Sequence, residues 1–310
     1  MLTYLIKRLF NSIIVLWIVM TVTFLLMHAI PGGPFTQEKS LPPAVKANIE
    51  ARYKLNDPLL TQYGDYISNV VVGDLGPSFK YVGRSVNDII AESFPVSLEL
   101  GLESVIIALL IGVPAGILAA YRRNTWQDKG VNFLTTFGIA VPGFVMAALL
   151  VDIFAMRLGW FPAAMWDGWQ NRILPAVALA VMPMAFITRL TRSSMLEVLG
   201  QDYIKTAKAK GLSTVYILFR HALPNALVPV VTYLGPMVAS ILTGSFVIET
   251  IFAIPGLGSY FVTSIYNRDY TVILGVTIFY SALIIFMNII VDIIYPLLDP
   301  RIKLGKGGEP

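Results

Sequence analysis

Cysteine is absent from this 310-residue chain, and histidine occurs only twice, at His28 and His221. The first absence excludes disulfides and thiolate metal sites, and the second leaves little material for a histidine-based metal centre. Charge is also scarce: 14% of residues are Asp, Glu, Lys or Arg, while 56% are hydrophobic. There is no GxSxG, no HExxH and no glycine-rich loop ending in Gly-Lys-Ser/Thr, so no hydrolase motif and no P-loop is present. Pro255-Gly256-Leu257-Gly258 contains GxG, but without the strand-and-helix setting of a phosphate site, so it reads as a turn. The net charge of +4 is not gathered into a basic patch separate from the apolar segments, which argues against nucleic acid as a partner.

What remains is apolar sequence in long runs. A mean hydropathy of +0.70 is more than a water-soluble domain of this size can bury, so a lipid bilayer is the expected solvent for much of the chain. Six runs are long enough to read as spans: Leu9–Ile30, Leu98–Ala120, Val131–Met156, Ile173–Leu190, Ala226–Ile248 and Val272–Leu298, the fourth being the shortest. Lys7-Arg8 before the first run, and its exit through His28-Ala29-Ile30-Pro31, predict a retained anchor, since a cleavable signal has a shorter apolar core and a small-residue exit. The short loops on the opposite side keep only Arg157, Arg172 and Arg268, a bias that places both termini in the cytoplasm.

The fold class expected is therefore all-α integral membrane with six transmembrane helices. Residues 1–30 would form the cytoplasmic end and first span, and 31–97 a small helical insertion outside the membrane. Residues 98–300 would form a five-helix core and 301–310 a cytoplasmic tail. Within the insertion, helices are expected near Pro42–Tyr53, Leu59–Val71 and Val86–Phe94. Prolines 114, 142, 175, 183, 229, 236 and 296 fall inside the runs, where kinks are tolerated.

Two carboxylates at membrane depth, Asp152 and Asp292, are candidates for a polar pathway or for intramembrane pairs. Arg157, five residues after Asp152, is one available partner. Glu249 follows the fifth run, where exposure to water is the simplest expectation. No catalytic constellation and no metal-ligand set is visible.

The most informative stretch is the polar, basic connector from Thr191 to Pro224. Asp202 is placed to cap a helix over Ile204–Lys210 and Gly211 to end it. Ala207, Ala209 and Gly211 predict a narrow element able to enter a cleft in a partner, flanked by Lys205, Lys208 and Lys210. A second amphipathic stretch, Val215–His221, would join it to the fifth run.

These residues resemble the signature loop of ABC importer permeases, an E-A-A triplet, a glycine four residues after its last alanine, and a terminal I-x-L-P. The matching positions are Ala207, Gly211, Leu223 and Pro224, while Lys205, Thr206 and His221 depart from the general form. Further motifs look like the dipeptide, oligopeptide and nickel permease group. They are Gly73-Asp74-Leu75-Gly76 with Ser78, Phe94-Pro95-Val96-Ser97 with Glu99-Leu100-Gly101, and Thr191-Arg192-Ser193-Ser194-Met195. Ala209-Lys210-Gly211-Leu212, Glu249-Thr250-Ile251-Phe252 and Asn267-Arg268-Asp269-Tyr270 complete the set. Leu55-Asn56-Asp57-Pro58 and Gly76-Pro77-Ser78-Phe79-Lys80-Tyr81 look most like the B subunit of oligopeptide permeases.

The resemblance implies a type I ABC importer permease fold in the bacterial inner membrane. It also implies a heterodimer with a homologous C-type permease, two cytoplasmic ABC ATPase subunits and an extracytoplasmic peptide-binding protein. This chain would carry no cofactor, ATP-Mg being bound by the ATPases, and peptide would be the substrate. The coupling helix would comprise Tyr203, Ile204, Lys205, Thr206, Ala207, Lys208, Ala209, Lys210 and Gly211, with His221, Leu223 and Pro224 ending the loop. Dipeptides, nickel complexes or antimicrobial peptides are alternative cargoes. An ion-gradient-driven secondary transporter is the rival from another class, and it would need Asp152 or Asp292.

Overall fold

A computed structural model describes residues 2–29 and 56–298, with the side chains of 2–5, 243–244 and 291–298 left out of that description. Among the described residues every long element is a helix, because runs of apolar residues in a bilayer must satisfy their backbone groups internally. In chain order these are α1 (Leu2–Ala29), α2 (Leu59–Val71), α3 (Val86–Tyr121), α4 (Trp126–Ala140) and α5 (Gly143–Arg157, widening to a π-helical turn from Val151). Then come α6 (Trp169–Leu199), α7 (Asp202–Ala209), α8 (Thr214–Ala226), α9 (Val228–Gly244), α10 (Phe246–Ile251), α11 (Leu257–Asn267) and α12 (Tyr270–Leu298).

Among the described residues four helices are long and apolar enough to cross a membrane unbroken, within Ile6–Ala29, Val86–Tyr121, Trp169–Leu199 and Tyr270–Ile290. The other two runs are bent pairs. α4 and α5 meet at 109°, and α8 and α9 at 49°. The sharper break falls at Val141-Pro142, where Val141 takes an extended ψ of 121° and Pro142 precedes α5. Proline disfavours helical backbone in the residue before it, so the longest-looking central run is two elements. The fourth run, the shortest by hydropathy, is instead the 31-residue α6, because polar turns at both ends continue the helix. Pro175 and Pro183 lie inside it without ending it.

The insertion also differs from expectation. The helix Leu59–Val71 forms as read. The expected Pro42–Tyr53 helix lies outside the described residues. The third, Val86–Phe94, does not stop at Pro95 but is the first part of the 36-residue α3. The presumed turn at Pro255–Gly258 is the start of α11, with Gly256 as its N-cap.

Contacts divide the chain into two compact units. One is Ser97–Ile254 with the chain from Phe286, and the other Leu2–Val96 with Pro255–Ile285. In the first, α6 is the central element, packed by α4, α5 and α9. Its pairing with α3 depends on a Gly112-x-x-x-Gly116 step. A Cβ on Gly112 would lie 2.9 Å from the Met184 carbonyl, and one on Gly116 2.7 Å from the Thr188 carbonyl and 2.6 Å from Thr191 Cβ. Small residues four apart let two membrane helices approach backbone to backbone, where dispersion replaces the hydrophobic effect that lipid abolishes.

In the second unit, Val86, Ile89, Leu257, Val272 and Val276 form a buried core. Asp269 ties this unit together at the N-terminus of α12. Its carboxylate is fully buried and accepts from Ser78 Oγ, from the amides of Phe79 (3.1 Å) and Lys80 (3.2 Å), and from that of Val272.

Candidate functional site

The connector folds as a short helix clamped against its own chain. α6 runs on to Leu199, so the first nine residues of the expected loop belong to that helix. Gln201, not Asp202, is the N-cap of α7; it makes no side-chain cap bond, and Asp202 falls in the first turn. Gly211, at φ +77°, then reverses the chain in a left-handed conformation that glycine adopts without strain. Its amide donates to the Lys208 carbonyl at 2.9 Å, and the Leu212 amide to that of Ala207.

One face of α7 is internal. Ile204 is fully buried and Ala207 is 6% exposed, in a cluster with Met195 of α6 and Ile217, Leu218, Ala222 and Ala226 of α8. Ala207 packs within the loop, where its small side chain lets α7 lie close against α6 and α8. Asn225 Nδ2 donates to the Tyr203 hydroxyl at 3.0 Å, a second tie between α7 and α8.

The other face is open. Lys205, Thr206, Lys208, Ala209, Lys210 and Gly211 are exposed. Lys205 Nζ lies 2.8 Å from Asp202 Oδ1, an exposed pair worth about 0–1 kcal/mol, which leaves the lysine able to change partner. The expected amphipathic stretch Val215–His221 is helical with a wide turn from Ile217 to Ala222, and Ser213 caps its start by accepting from the Tyr216 amide. That wide turn exposes Phe219 at 60% while burying Ile217 and Leu218. His221 is half-buried with its ring 5.5 Å from Tyr216, Leu223 is half-buried, and Pro224 opens the last turn of α8.

The two intramembrane carboxylates fare differently. Asp152 Oδ2 pairs with Arg157 Nη2 at 2.8 Å, and both side chains are largely exposed, at 48% and 73%. The π-helical turn that spans both residues brings positions five apart onto one side, which is why this spacing pairs. Asp292 lies outside the residues whose side chains are described. Glu249, expected in water, is fully buried in α10 and accepts from Ser245 Oγ.

Two charge clusters escaped the sequence reading because their members are far apart in the chain. Asp128, 4% exposed, receives Arg192 Nε on Oδ1 at 2.6 Å and Arg192 Nη2 on Oδ2 at 2.9 Å. The Asn124 amide and Asn132 Nδ2 also donate to it, at 2.9 and 2.7 Å. Arg192 is one helical turn before Met195, so this pair fixes α4 beside the end of α6 on which α7 packs. The second cluster joins Arg172 at the start of α6 to Glu99 and Glu103 of α3. Among the described residues no three histidine, aspartate or glutamate side chains are grouped as a metal site.

Residues 112–304 match the family described as binding-protein-dependent transport system inner membrane component, and residues 1–101 match the N-terminal family of the same membrane components. The chain belongs to this family. As a binding-protein-dependent transport component it is similar, at 53% identity, to the dipeptide transport system permease protein DppB of Bacillus subtilis, over 98% of this chain and 99% of that protein. It is 48% identical to the oligopeptide transport system permease protein OppB of Salmonella typhimurium, over 98% of this chain and the full length of the other. Among solved structures, the inward-facing methionine ABC transporter MetNI superposes with a TM-score of 0.59 at 19% identity, over 68% of this chain and 96% of that one, a likeness of fold. The fold is accordingly that of the type I ABC importer permeases.

Proposed function

We propose that this chain is the B-type permease subunit of an ATP-driven peptide importer and that α7 is its coupling helix. The observation that carries the reading is the two-faced build of α7. Ile204 and Ala207 lock it to α6 and α8, while Lys205, Lys208 and Ala209 face outward. A helix fixed to a spanning helix on one side and free on the other transmits a push. Two cytoplasmic ABC ATPases, closing on ATP-Mg, deliver that push; nucleotide acts by binding one of their two states more tightly. A homologous C-type permease supplies the other half of the pathway, and an extracytoplasmic binding protein brings the cargo. Peptides are the substrate by likeness to both the dipeptide and the oligopeptide permeases; we assign the oligopeptide class on the resemblance of Gly76–Tyr81 and Leu55–Pro58. The bias of Lys and Arg among the short loops supports a cytoplasmic placement of both termini.

The test is Ala209→Trp, which adds bulk on the open face without touching the buried cluster. In the assembled importer, peptide uptake should fall by at least tenfold with membrane insertion unchanged, and binding-protein-stimulated ATP hydrolysis should fall with it. Uptake at the parent rate would overturn the coupling role. Asp152→Asn, alone and combined with Asp292→Asn, tests the ion-driven rival, which needs one of these two carboxylates; uptake by the Asp152→Asn variant is expected to stay within about twofold because Asp152 is already paired with Arg157. Comparing labelled dipeptide, tetrapeptide and nickel uptake assigns the cargo.

A further inference from the structure

Between Thr188 and Met195, over about two turns, α6 is joined to α3, to α4 and to the connector. Gly116 of α3 lies so close that an added Cβ would stand 2.7 Å from the Thr188 carbonyl and 2.6 Å from Thr191 Cβ. Thr191 is fully buried in this contact, and its Oγ1 has no hydrogen-bond partner among the described residues. Thr188, by contrast, donates its Oγ1 hydrogen back to the Met184 carbonyl at 2.7 Å. A buried hydroxyl left unbonded is costly, so the fit against Gly116 is kept at the expense of a bond. One residue on, Arg192 gives Nε and Nη2 to the two oxygens of Asp128 on α4. Met195, one turn further, shares a buried cluster with Ile204 and Ala207 of α7, Ile217 of α8 and Ala120 of α3.

These joints resist movement in ways that ordinary apolar packing does not. Dispersion contacts are weak singly and have no preferred direction, so one greasy helix can slip along another. A guanidinium held by two parallel bonds fixes both the distance and the plane of its partner. Asp128 cannot swing with Arg192, because the Asn124 amide and Asn132 Nδ2 hold the same carboxylate from its own helix. At Gly116 there is no side chain to yield, and a displaced α3 meets α6 backbone directly.

We propose that Asp128 and Arg192 are positioning residues for transport. Together with the Gly116–Thr191 contact they make α3, α4 and the end of α6 one rigid body, so a push on α7 moves three helices and does not bend α6 alone. The inference rests on the coupling-helix reading above and concerns what lies behind that helix. Without the pair, α7 keeps its seat on Ile204 and Ala207 and the ATPases still engage it. The stroke is then lost as slip between α4 and α6, so ATP hydrolysis continues while peptide delivery falls.

The assembled importer in liposomes, with its ATPases and binding protein, yields two rates, peptide delivered and ATP hydrolysed. Loss of folded protein lowers both alike and leaves their ratio unchanged, whereas slip lowers the ratio. Asp128→Asn should reduce peptide per ATP by about threefold to tenfold, the range that residues carrying coupling between sites produce. Arg192→Lys keeps the charge and gives up the two-bond fork; it should reduce the ratio by about twofold, and it serves should the first variant fail to fold. Val276→Ala, a cavity in the core of the other unit, should keep the parent ratio. A second measurement needs no peptide, and the lack of cysteine in this chain makes it direct. Nitroxide labels on Lys129→Cys of α4 and Ser193→Cys of α6, both exposed positions, report their separation by pulsed electron resonance with and without ATP and vanadate. The separation should stay fixed when only the labels are present, and should shift and broaden with nucleotide once Asp128→Asn is added. A parent ratio in both Asp128→Asn and Arg192→Lys, an equal fall in Val276→Ala, or a label separation that changes with the pair intact would each overturn the proposal. Uptake by Ala209→Trp at the parent rate would instead overturn the coupling role of α7, and the label distances still decide whether α4 and α6 move as one.

Discussion

Replacing Asp128 with Asn keeps the side chain's shape and removes its charge. In the parent chain the carboxylate accepts two bonds from Arg192, one from the Asn124 amide and one from Asn132. An asparagine offers one oxygen, and its amide group turns a donor toward Arg192. Removing one partner of a buried ion pair typically costs about 3–5 kcal/mol, because the other charge stays behind unpaired. Arg192 is 24% exposed and recovers part of its hydration, which lowers the expectation to about 2–3 kcal/mol. Asp128→Ala should cost about 1 kcal/mol more, since the Asn124 amide then loses its acceptor as well. Unfolding of the purified protein by sodium dodecyl sulfate in mild detergent measures these losses. A double-mutant cycle of Asp128→Asn with Arg192→Met should return a coupling energy above about 1.5 kcal/mol, as pairs in direct contact do. The loss should persist in 1 M salt, because a buried pair is little screened. A loss below about 0.5 kcal/mol for Asp128→Asn, or no coupling in the cycle, would refute the clamp.

Two further outcomes follow from packing and from the buried cross-tie. Gly116→Val should destabilise by at least about 1–3 kcal/mol and separate α3 from α6, because its Cβ would meet the Thr188 carbonyl at 2.7 Å; disulfide trapping between cysteines placed on the two helices should slow accordingly. Asp269→Ala removes the carboxylate that Ser78 and the Phe79 and Lys80 amides share, leaving Lys80 its weaker bond to Ser78 Oγ, so residues 77–81 should become more cleavable by added protease, with Ser78→Ala showing a milder form of the same change.

The broad architecture was legible because hydropathy is a local property: apolar runs near the length of a bilayer become helices wherever they lie. What escaped depended on partners far along the chain. The break at Val141-Pro142 read as a kink, yet its 109° angle depends on how α5 packs against α6 and α10. Asp128 and Arg192 are 64 residues apart, and no spacing rule connects them. Glu249 was expected in water because it follows an apolar run, and α10 buries it instead. Asp152 with Arg157 was visible, since five residues apart is a local relation that one wide turn satisfies. For α7 the glycine that ends the helix was readable, whereas its inner face was not. Ala207 and Ala209 look alike in sequence, and only the cluster around Met195 distinguishes the buried alanine from the exposed one.

The bond between Ser78 and Asp269 joins positions 191 residues apart. During synthesis the first partner is made long before the second: at about 5–20 residues per second the delay is on the order of 10–40 seconds. Throughout that interval the strand of chain around Ser78 has no carboxylate to fold around. Its maturation thus waits on the arrival of the last helix, and any truncation before Asp269 would leave an early segment permanently unfinished, a mark by which a membrane quality-control protease could recognise incomplete chains.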